Sequence, residues 1–212
     1  VGVDWPIRYA DLAPWYSYVE KWIGVSGQTE GLPQLPDGDF QPPMEMNVVE
    51  KDLKAKVESK FSERRVTIGR AAHLTKSTAE QMKIGRGQCQ SRNLCMRGCS
   101  FGAYFSSNGV TLVAAAQSGN MTLQPDSVVT AILFDKAANK ATGVRVMNTE
   151  TKAETEYYAK VIFLCASALN TTWIMMHSKS DRFPTGFGND SDELGRNVMD
   201  HHFLVGAQAD VD

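Results

Sequence analysis

The sequence predicts a mixed α/β protein, with helices and loops in its first half and a β-meander in its second half. Near the N-terminus, "DLAPWYSYVEKWI" places apolar residues at spacings of three and four, which is typical of an amphipathic helix. Between residues 121 and 167, short β-rich runs alternate with turn residues, which favours strands. The 212 residues suffice for one large domain or two small ones.

The first predicted element is a helix from about Asp11 to Ile23. Pro14 falls in its first turn, where a missing backbone N–H costs nothing, and the helix ends near Gly24 and Gly27. The periodicity gives one apolar stripe, which consists of Leu12, Trp15, Tyr16, Val19, Trp22 and Ile23.

A loop, a helix and a strand are predicted next. Residues 26–44 carry Pro, Gly and acidic residues without periodicity, which predicts a long ordered or lid-like loop. A second amphipathic helix is predicted at about residues 47–60, and "RVTIG" predicts a short strand. Further along, "GVTLVAAAQSG" predicts an Ala-rich helix closed by Gly119.

The second half is predicted to be a meander. Its β-rich runs are "MTLQP", "SVVTAILFD", "KATGVRVMN", "KAETEYYAK" and "VIFLCAS", with a hairpin turn around "DKAANKATG". The last of these runs predicts a buried strand that leads into a helix at "ALNTTWIMMHS". Residues 179–198 predict a polar, Gly-rich loop, and "HHFLVGAQADV" predicts the start of another strand.

Three cysteines, Cys89, Cys95 and Cys99, are spaced as C-x5-C-x3-C. Zinc sites favour shorter gaps and four ligands, and a bacterial iron–sulfur run is C-x2-C-x2-C-x3-C. The fourth cysteine, Cys165, ends the predicted buried strand. A metal site, a disulfide from Cys89 to Cys95 or Cys99, and free thiols in a tight loop all stay open, and the spacing favours the thiols.

Charge and hydropathy exclude some classes of function. A formal net charge of −2 gives no basic field for nucleic acid. No apolar run reaches the roughly 18 residues that a membrane span needs. Hydrophobic and charged fractions of 42% and 22% predict a globular, water-soluble chain. No signal peptide is visible, but this carries little information because the chain begins without Met, as an internal piece would. Its compartment, cytoplasmic or periplasmic, stays undetermined.

Five segments resemble, in order, the glucose-methanol-choline (GMC) family of FAD-dependent oxidoreductases, nearest the gluconate- and fructose-dehydrogenase-like flavoprotein subunits. They are "DWPIRYADLAPWYSYVEKWIGVSG", "CMRGCSFGAYFSS", "GNMTLQPDSVVTAILFDKAANKATGVRV", "VIFLCASALNTTWIMMHS" and "ELGRNVMDHH". The resemblance implies a partial FAD/NAD(P)-binding-type domain with a β-meander and helical and loop insertions. It also implies that the cysteine run is a flavin-proximal loop without a chemical role.

The resemblance implies that parts of the enzyme lie elsewhere. GMC proteins begin with a GxGxxG turn that holds the FAD pyrophosphate, and their catalytic His lies close to the C-terminus. This sequence has no GxGxxG and stops ten residues after His202. We therefore expect the middle part of a larger flavoenzyme, inactive alone, with its catalytic residues outside this chain.

The resemblance divides the chain into three parts. Residues 1–87 are expected to form a lid or cap insertion, residues 88–200 part of the FAD-binding domain, and residues 201–212 the start of the substrate-binding domain. The intact enzyme is expected to bind FAD and to oxidise a CH–OH group of an alcohol, sugar, polyol or sugar acid by hydride transfer to flavin N5. An electron-acceptor subunit is a further expected partner.

Two alternatives belong to other classes of protein. One is a metal- or cluster-binding module built on Cys89, Cys95 and Cys99, and the other is a non-catalytic fragment that binds a partner through the 26–44 loop. Neither has a specific motif in its support.

Four residues are predicted to bind the cofactor. The resemblance gives Val129 a backbone contact with the adenine, and gives Cys165, Ala166 and Ser167 contacts with the phosphates or ribose. Independently, a buried strand that runs through small residues into a helix lets a dinucleotide approach the backbone. A plain packing turn at 165–167 and a core role for Val129 remain the alternatives.

The four histidines, His73, His177, His201 and His202, carry a weaker signal. A single histidine is more often structural than catalytic, and two adjacent ones in a strand point to opposite faces. The resemblance makes a substrate contact by one of the last two a hypothesis, and Asp200 could orient its ring.

Overall fold

The computed structural model describes residues 4–200 and Gly206, and these form parts of two compact units. Unit 1 is Val1–Thr122 and unit 2 is Leu123–Asp212. Helices and loops make up the described part of unit 1, while unit 2 combines a three-stranded antiparallel sheet with one helix. The predicted mixture of helices and a β-meander is therefore confirmed.

The first helix, α1, spans Tyr9–Ile23 and is held at both ends by backbone hydrogen bonds. At its start the Arg8 N–H donates to Asp11 Oδ2 at 2.9 Å. At its end Gly24 adopts a left-handed φ of +77°, and its N–H donates to the Glu20 carbonyl. A Cβ at Gly24 would lie 2.1 Å from Leu74 Cδ2, so both conformation and space require glycine there.

Two features of α1 differ from the sequence-based expectation. The helix begins two residues before the predicted start, because Arg8 and Asp11 cap it, so Pro14 lies in the second turn and not the first. The apolar stripe also divides: Leu12 and Ile23 are half-buried, while Trp15 and Trp22 are exposed.

The predicted loop at residues 26–44 is confirmed, and side chains brace it. The Asp37 carboxylate accepts the N–H groups of Glu30 and Gly31 at 2.9 and 3.0 Å and pairs with Arg70 at 3.2 Å. The same guanidinium lies over the Phe40 ring, 4.5 Å from its centroid. These contacts hold the loop in one conformation. Its strand-type pairing among the described residues is limited to isolated bridges.

Helix α2 spans Val48–Lys60 and confirms the second predicted helix. Asn47 caps it, since its side chain accepts the Glu50 N–H at 2.9 Å while the Glu50 carboxylate accepts the Asn47 N–H. The predicted strand at 65–69 is wrong, because this segment joins no strand ladder in the described residues. Helix α2 fixes it instead: Lys54 Nζ donates to the Val66 carbonyl at 2.7 Å.

Acid is expected to weaken this attachment of residue 66 to α2. Hydrogen bonds from Lys54 and from the Val66 N–H lower the pKa of Glu58 below its ordinary value. Because the pKa of Glu58 is lower in the folded state than in the unfolded state, its carboxylate stabilises the fold at pH values above the unfolded-state pKa. This stabilisation is lost as the pH falls through the folded-state pKa. The melting temperature should therefore be higher in the wild type than in Glu58→Gln at neutral pH, and the two should converge in acid.

Thermal unfolding of the full-length protein at a series of pH values measures this effect. Glu63→Gln, at an exposed carboxylate a few residues away, controls for the change in net charge. A difference between wild type and Glu58→Gln that stays constant from neutral to acid pH would contradict the assignment.

A buried arginine lies at the centre of unit 1. Arg86 is fully buried, and its guanidinium donates to the carbonyls of Ile23, Gly102 and Ala103 at 2.8, 3.0 and 3.2 Å. Burial lowers the pKa of Arg86, and the nearby Cys99 partly offsets this. Arg86 thus links the end of α1 to the segment that follows the three cysteines.

Four short helical segments complete the described part of unit 1. Helix α3 spans Ala79–Lys83, a 3-10 turn spans Cys95–Arg97, a π-helical turn spans Ser107–Thr111, and α4 spans Leu112–Gln117. The last two match the predicted Ala-rich helix, which ends at Gly119 as expected.

Unit 2 contains strands β1 (Ser127–Asp135), β2 (Lys140–Asn148) and β3 (Glu154–Tyr158), paired in the order β1-β2-β3. All three strands and the hairpin were predicted. The other two predicted strands, "MTLQP" and "VIFLCAS", are wrong for the described residues, because neither joins this ladder. A β-bulge interrupts the pairing between Val129 and Ala131.

Helix α5 spans Ser167–His177, as predicted, and lies against β1. Buried Ser178 fixes its C-terminal end, because its Oγ donates to the Ile174 carbonyl at 2.6 Å and accepts the Ile132 N–H at 2.8 Å. The predicted polar loop at 179–198 follows and is confirmed. The strand predicted from His201 lies outside the described residues.

Candidate cofactor-binding groove

A groove of about 730 Å³ lies in unit 2 between β1 and the N-terminal half of α5. Its walls are residues 127–129 of β1, residues 163–166, and Asn170, Trp173 and Ile174 of α5. This volume is in the range of small-molecule and cofactor sites. The walls are largely apolar, with backbone groups of the strand and of the turn at their edges.

The structure brings three of the four predicted cofactor-binding residues to this groove. Val129, Cys165 and Ala166 line it, and Ser167 is exposed next to it as the first residue of α5. The groove joins residues that are more than 30 positions apart in the sequence. Whether they bind a cofactor remains a prediction.

The turn from residue 164 to 167 has a fixed conformation. Ser167 adopts a left-handed φ of +72°, which is uncommon for a residue with a side chain. Thr171 braces the turn, since its Oγ1 accepts the Ala166 N–H at 3.3 Å and donates to the Leu164 carbonyl at 3.4 Å. The backbone of the turn is therefore held in position at one end of the groove.

The first turn of α5 has backbone N–H groups available for an anion. The residue that precedes the helix, Ala166, offers no side-chain oxygen to cap them. The positive end of the helix dipole lies at the same place, and it favours a negatively charged group such as a phosphate.

The edge of β1 that faces α5 has no partner strand among the described residues. There β1 pairs only with β2, and on this edge the Ile132 N–H donates to Ser178 Oγ at 2.8 Å, beyond the groove. The bulge after Val129 changes the direction of the backbone at the point where the strand borders the groove. Backbone groups on such an edge can recognise the edge of a purine.

Sequence reasoning missed seven residues that line this groove, among them Phe163, Asn170 and Trp173. A signal for Asn170 and Trp173 was present, because Ala166, Asn170 and Trp173 recur at spacings of four and three and so share one helix face. Phe163 is 83% exposed, which the all-apolar run around it did not predict.

The three cysteines of unit 1 lie around a separate small cavity of about 20 Å³. All four cysteines carry free thiols in this structure. His73 also lines this cavity, with its Nε2 3.3 Å from Cys95 Sγ and its ring stacked on Tyr104 at 4.9 Å. Burial lowers the pKa of His73, and its Nδ1 has no hydrogen-bond partner.

The loop that carries these cysteines is compact, and a glycine allows its backbone to approach a neighbouring segment closely. Gly102 adopts a φ of +62°, and a Cβ there would lie 3.0 Å from the Gly85 carbonyl oxygen. Burial raises the pKa of Cys99, but N–H groups of Tyr104, Phe101 and Ala103 and the charge of Arg92 lower it, and the net shift is downward. The run "GCSFGA" therefore packs its backbone closely around Cys99 and Arg86.

The geometry gives no support to the metal-module alternative. Among residues 4–200 no three His, Cys, Asp or Glu side chains lie close enough together to hold a metal ion.

No helix in that part of the chain is long and apolar enough to cross a membrane.

The other histidine among the described residues, His177, packs against an aromatic ring. His177 stacks on Trp173 with ring centroids 4.0 Å apart, and its Nδ1 lies 2.9 Å from the Trp173 carbonyl oxygen. His201 and His202 lie outside the described residues, so the substrate-contact hypothesis stays a prediction.

The chain belongs to the GMC oxidoreductase family, whose pattern matches residues 5–203. It is 29% identical over 204 residues to the fructose dehydrogenase large subunit of Gluconobacter japonicus, which covers 95% of this chain and 36% of that protein. It is 27% identical over 200 residues to paromamine 6'-oxidase of Streptomyces fradiae, covering 93% and 34% of the two chains.

A third relative is 2-methyl-1,2-propanediol dehydrogenase of Mycolicibacterium austroafricanum, 26% identical over 208 residues, with coverage of 95% and 35%. The chain thus spans about a third of the length of these relatives. The resemblance drawn from the five sequence segments is confirmed.

Proposed function

We propose that this chain is part of an FAD-dependent oxidoreductase that oxidises a CH–OH group, and that its groove in unit 2 holds the adenosine part of FAD. The observation that carries this proposal is the convergence of Val129, Cys165 and Ala166 on one groove of cofactor size. Membership of the GMC oxidoreductase family supports the same reaction class.

The described residues fit the adenosine half of such a cofactor. The apolar walls suit an aromatic base, the free edge of β1 suits the polar edge of the base, and the uncapped N-terminus of α5 suits a phosphate. In the intact enzyme Val129 would contribute backbone groups to the adenine, and Cys165, Ala166 and Ser167 would border the ribose or phosphates. When bound, FAD would supply the hydride acceptor at its N5.

The substrate class that we propose is an alcohol, sugar, polyol or sugar acid. Two relatives are named for such compounds, fructose and 2-methyl-1,2-propanediol, and this supports the class without selecting one member. The name of the fructose dehydrogenase large subunit implies a multi-subunit protein, which supports an electron-acceptor subunit as a partner. The residue that removes the hydroxyl proton is expected outside this chain.

The roles that we propose for the three parts of the chain follow the same resemblance. Residues 1–87 would serve as a lid or cap insertion, residues 88–200 as part of the FAD-binding domain, and residues 201–212 as the start of the substrate-binding domain. The cysteine run at 89–99 would lie near the flavin without taking part in its chemistry.

The full-length polypeptide that contains this chain is expected to purify with bound FAD. Its absorption spectrum should show the yellow band of an oxidised flavin, and denaturation should release FAD in about one equivalent per chain. The band should bleach when an oxidisable sugar or polyol is added without an electron acceptor. A colourless protein that takes up no added FAD would overturn the proposal.

Two other functions are separated from this one by simple measurements. Iron and zinc analysis of the same preparation tests a module built on Cys89, Cys95 and Cys99, since stoichiometric metal would favour it. Deletion of the 26–44 loop tests the alternative of a non-catalytic fragment that binds a partner through this loop. An unchanged set of partners would rule that alternative out. The bracing of that loop by Asp37 and Arg70 gives it a defined shape but no identified partner.

A further inference from the structure

We propose that the indole of Trp173 is the stacking platform for the adenine of the cofactor, and that His177 holds the indole in place. The proposal rests on the proposed function of the groove and adds a side chain that neither the sequence pattern nor the resemblance assigns. Its basis is the position of Trp173 on α5 at the wall of the groove and its contact with His177.

Trp173 lies at the correct place in the groove for this role. It borders the groove together with Val128 and Val129 of β1 and with Ala166 of the turn. An adenine that pairs its polar edge with the backbone of β1 presents its ring faces to the neighbouring walls. Trp173 and Phe163 are the aromatic side chains in those walls within the described residues.

The packing of unit 2 covers only about half of the indole of Trp173. Trp173 is 49% exposed, although its neighbour Ile174 on α5 is buried against the sheet. Small-molecule and cofactor sites are lined predominantly by hydrophobic and aromatic side chains, and Trp173 lies at the wall of this groove. Stacking against a base would cover this apolar surface.

His177 restricts the motion of the indole. The two rings are stacked at 4.0 Å with an interplanar angle of 26°, one helical turn apart on α5. The imidazole is itself anchored, since its Nδ1 lies 2.9 Å from the Trp173 carbonyl oxygen. A ring that is already held in position loses little conformational entropy when a ligand stacks on it.

The test uses the full-length polypeptide after removal of FAD, with ADP as the probe of the adenosine site. ADP is expected to quench a part of the tryptophan fluorescence that is absent from Trp173→Phe. Trp173→Ala should weaken ADP binding about tenfold, the usual effect of removing one aromatic ring that stacks on a base. Trp173→Phe keeps a smaller ring and should retain most of the affinity.

Three controls make the result specific. Riboflavin 5'-phosphate, which lacks the adenosine, should bind the wild type and Trp173→Ala equally. Trp15→Ala, at an exposed tryptophan of α1 in the other unit, should leave ADP binding unchanged. Far-UV circular dichroism and the unfolding temperature of each variant identify any loss of folding, and Trp173→Phe provides the readout if the alanine variant unfolds.

Equal ADP affinity of wild type and Trp173→Ala would overturn the role of Trp173, while the binding itself would leave the proposed function of the groove intact. A wild-type protein that contains FAD but shows no ADP-dependent quenching would also overturn it. A wild-type protein that binds neither FAD nor ADP would instead overturn the proposed function, and the role of Trp173 with it.

Discussion

Replacement of Arg86 by Met is expected to be among the most destabilising single substitutions in unit 1, with a loss of about 3 kcal/mol or more. The guanidinium is fully buried and satisfies the carbonyls of Ile23, Gly102 and Ala103. Methionine fills a similar volume but donates no hydrogen bond, so the carbonyls of Ile23 and Gly102 lose their partner, while the Ala103 carbonyl keeps the Leu74 N–H at 3.0 Å. Each such acceptor costs about 1–3 kcal/mol when it is left unsatisfied.

Arg86→Lys should recover only part of this loss. An ammonium group retains the charge but cannot reproduce the planar fork that reaches three carbonyls in different directions. Urea unfolding of the full-length protein, followed by circular dichroism, measures the change. Arg97→Met, at an exposed arginine in the same loop, should alter stability by less than about 0.5 kcal/mol. Equal unfolding midpoints for Arg86→Met and wild type would contradict the assigned role.

The sequence was informative where short-range interactions determine the structure. Helix α2 has a capping box at Asn47 and Glu50, and α1 ends at a glycine in the left-handed conformation. The β1-β2 hairpin is likewise determined by two β-rich runs and the turn between them. Each of these signals acts within a few residues, so it can be read without knowledge of the rest of the fold.

Strands without a local partner were predicted incorrectly. Residues 65–69 and 161–165 have β-forming sequences, yet neither joins a ladder in the described residues. A strand is defined by its pairing, and composition cannot reveal whether a partner is present. The exposure of Val161 at 67% and of Phe163 shows that the apolar run alone did not determine burial.

Neither the burial of Arg86 nor the convergence of the groove residues could be predicted from the sequence alone. Arginine is normally exposed, so nothing in "IGRGQC" predicts that Arg86 lies in the core of unit 1. The predicted cofactor residues came from a family resemblance, whereas their convergence depends on how α5 packs on β1 through Ile132 and Ser178. Long-range contacts of this kind leave little periodic trace in the sequence.

Replacement of Cys165 by Trp is expected to lower FAD retention by the full-length protein. Cys165 is exposed and lines the groove, so an indole at this position would occupy space in the groove without disturbing a packed core. Blocking the adenosine site should lower FAD affinity by at least about tenfold, because a displaced ligand loses its contacts with the walls and the edge of β1. The flavin content per chain after gel filtration measures the loss.

Two companion variants make this result decisive. Cys165→Ser removes the sulfur but adds no volume, so it should keep the FAD content of the wild type. Asn170→Trp places an indole on the opposite, helical wall of the same groove and should reproduce the loss. Circular dichroism of each variant verifies that the protein is folded. If folded Cys165→Trp and Asn170→Trp both retained a full equivalent of FAD, the adenosine would have to bind elsewhere, because the two substitutions obstruct the groove from different sides.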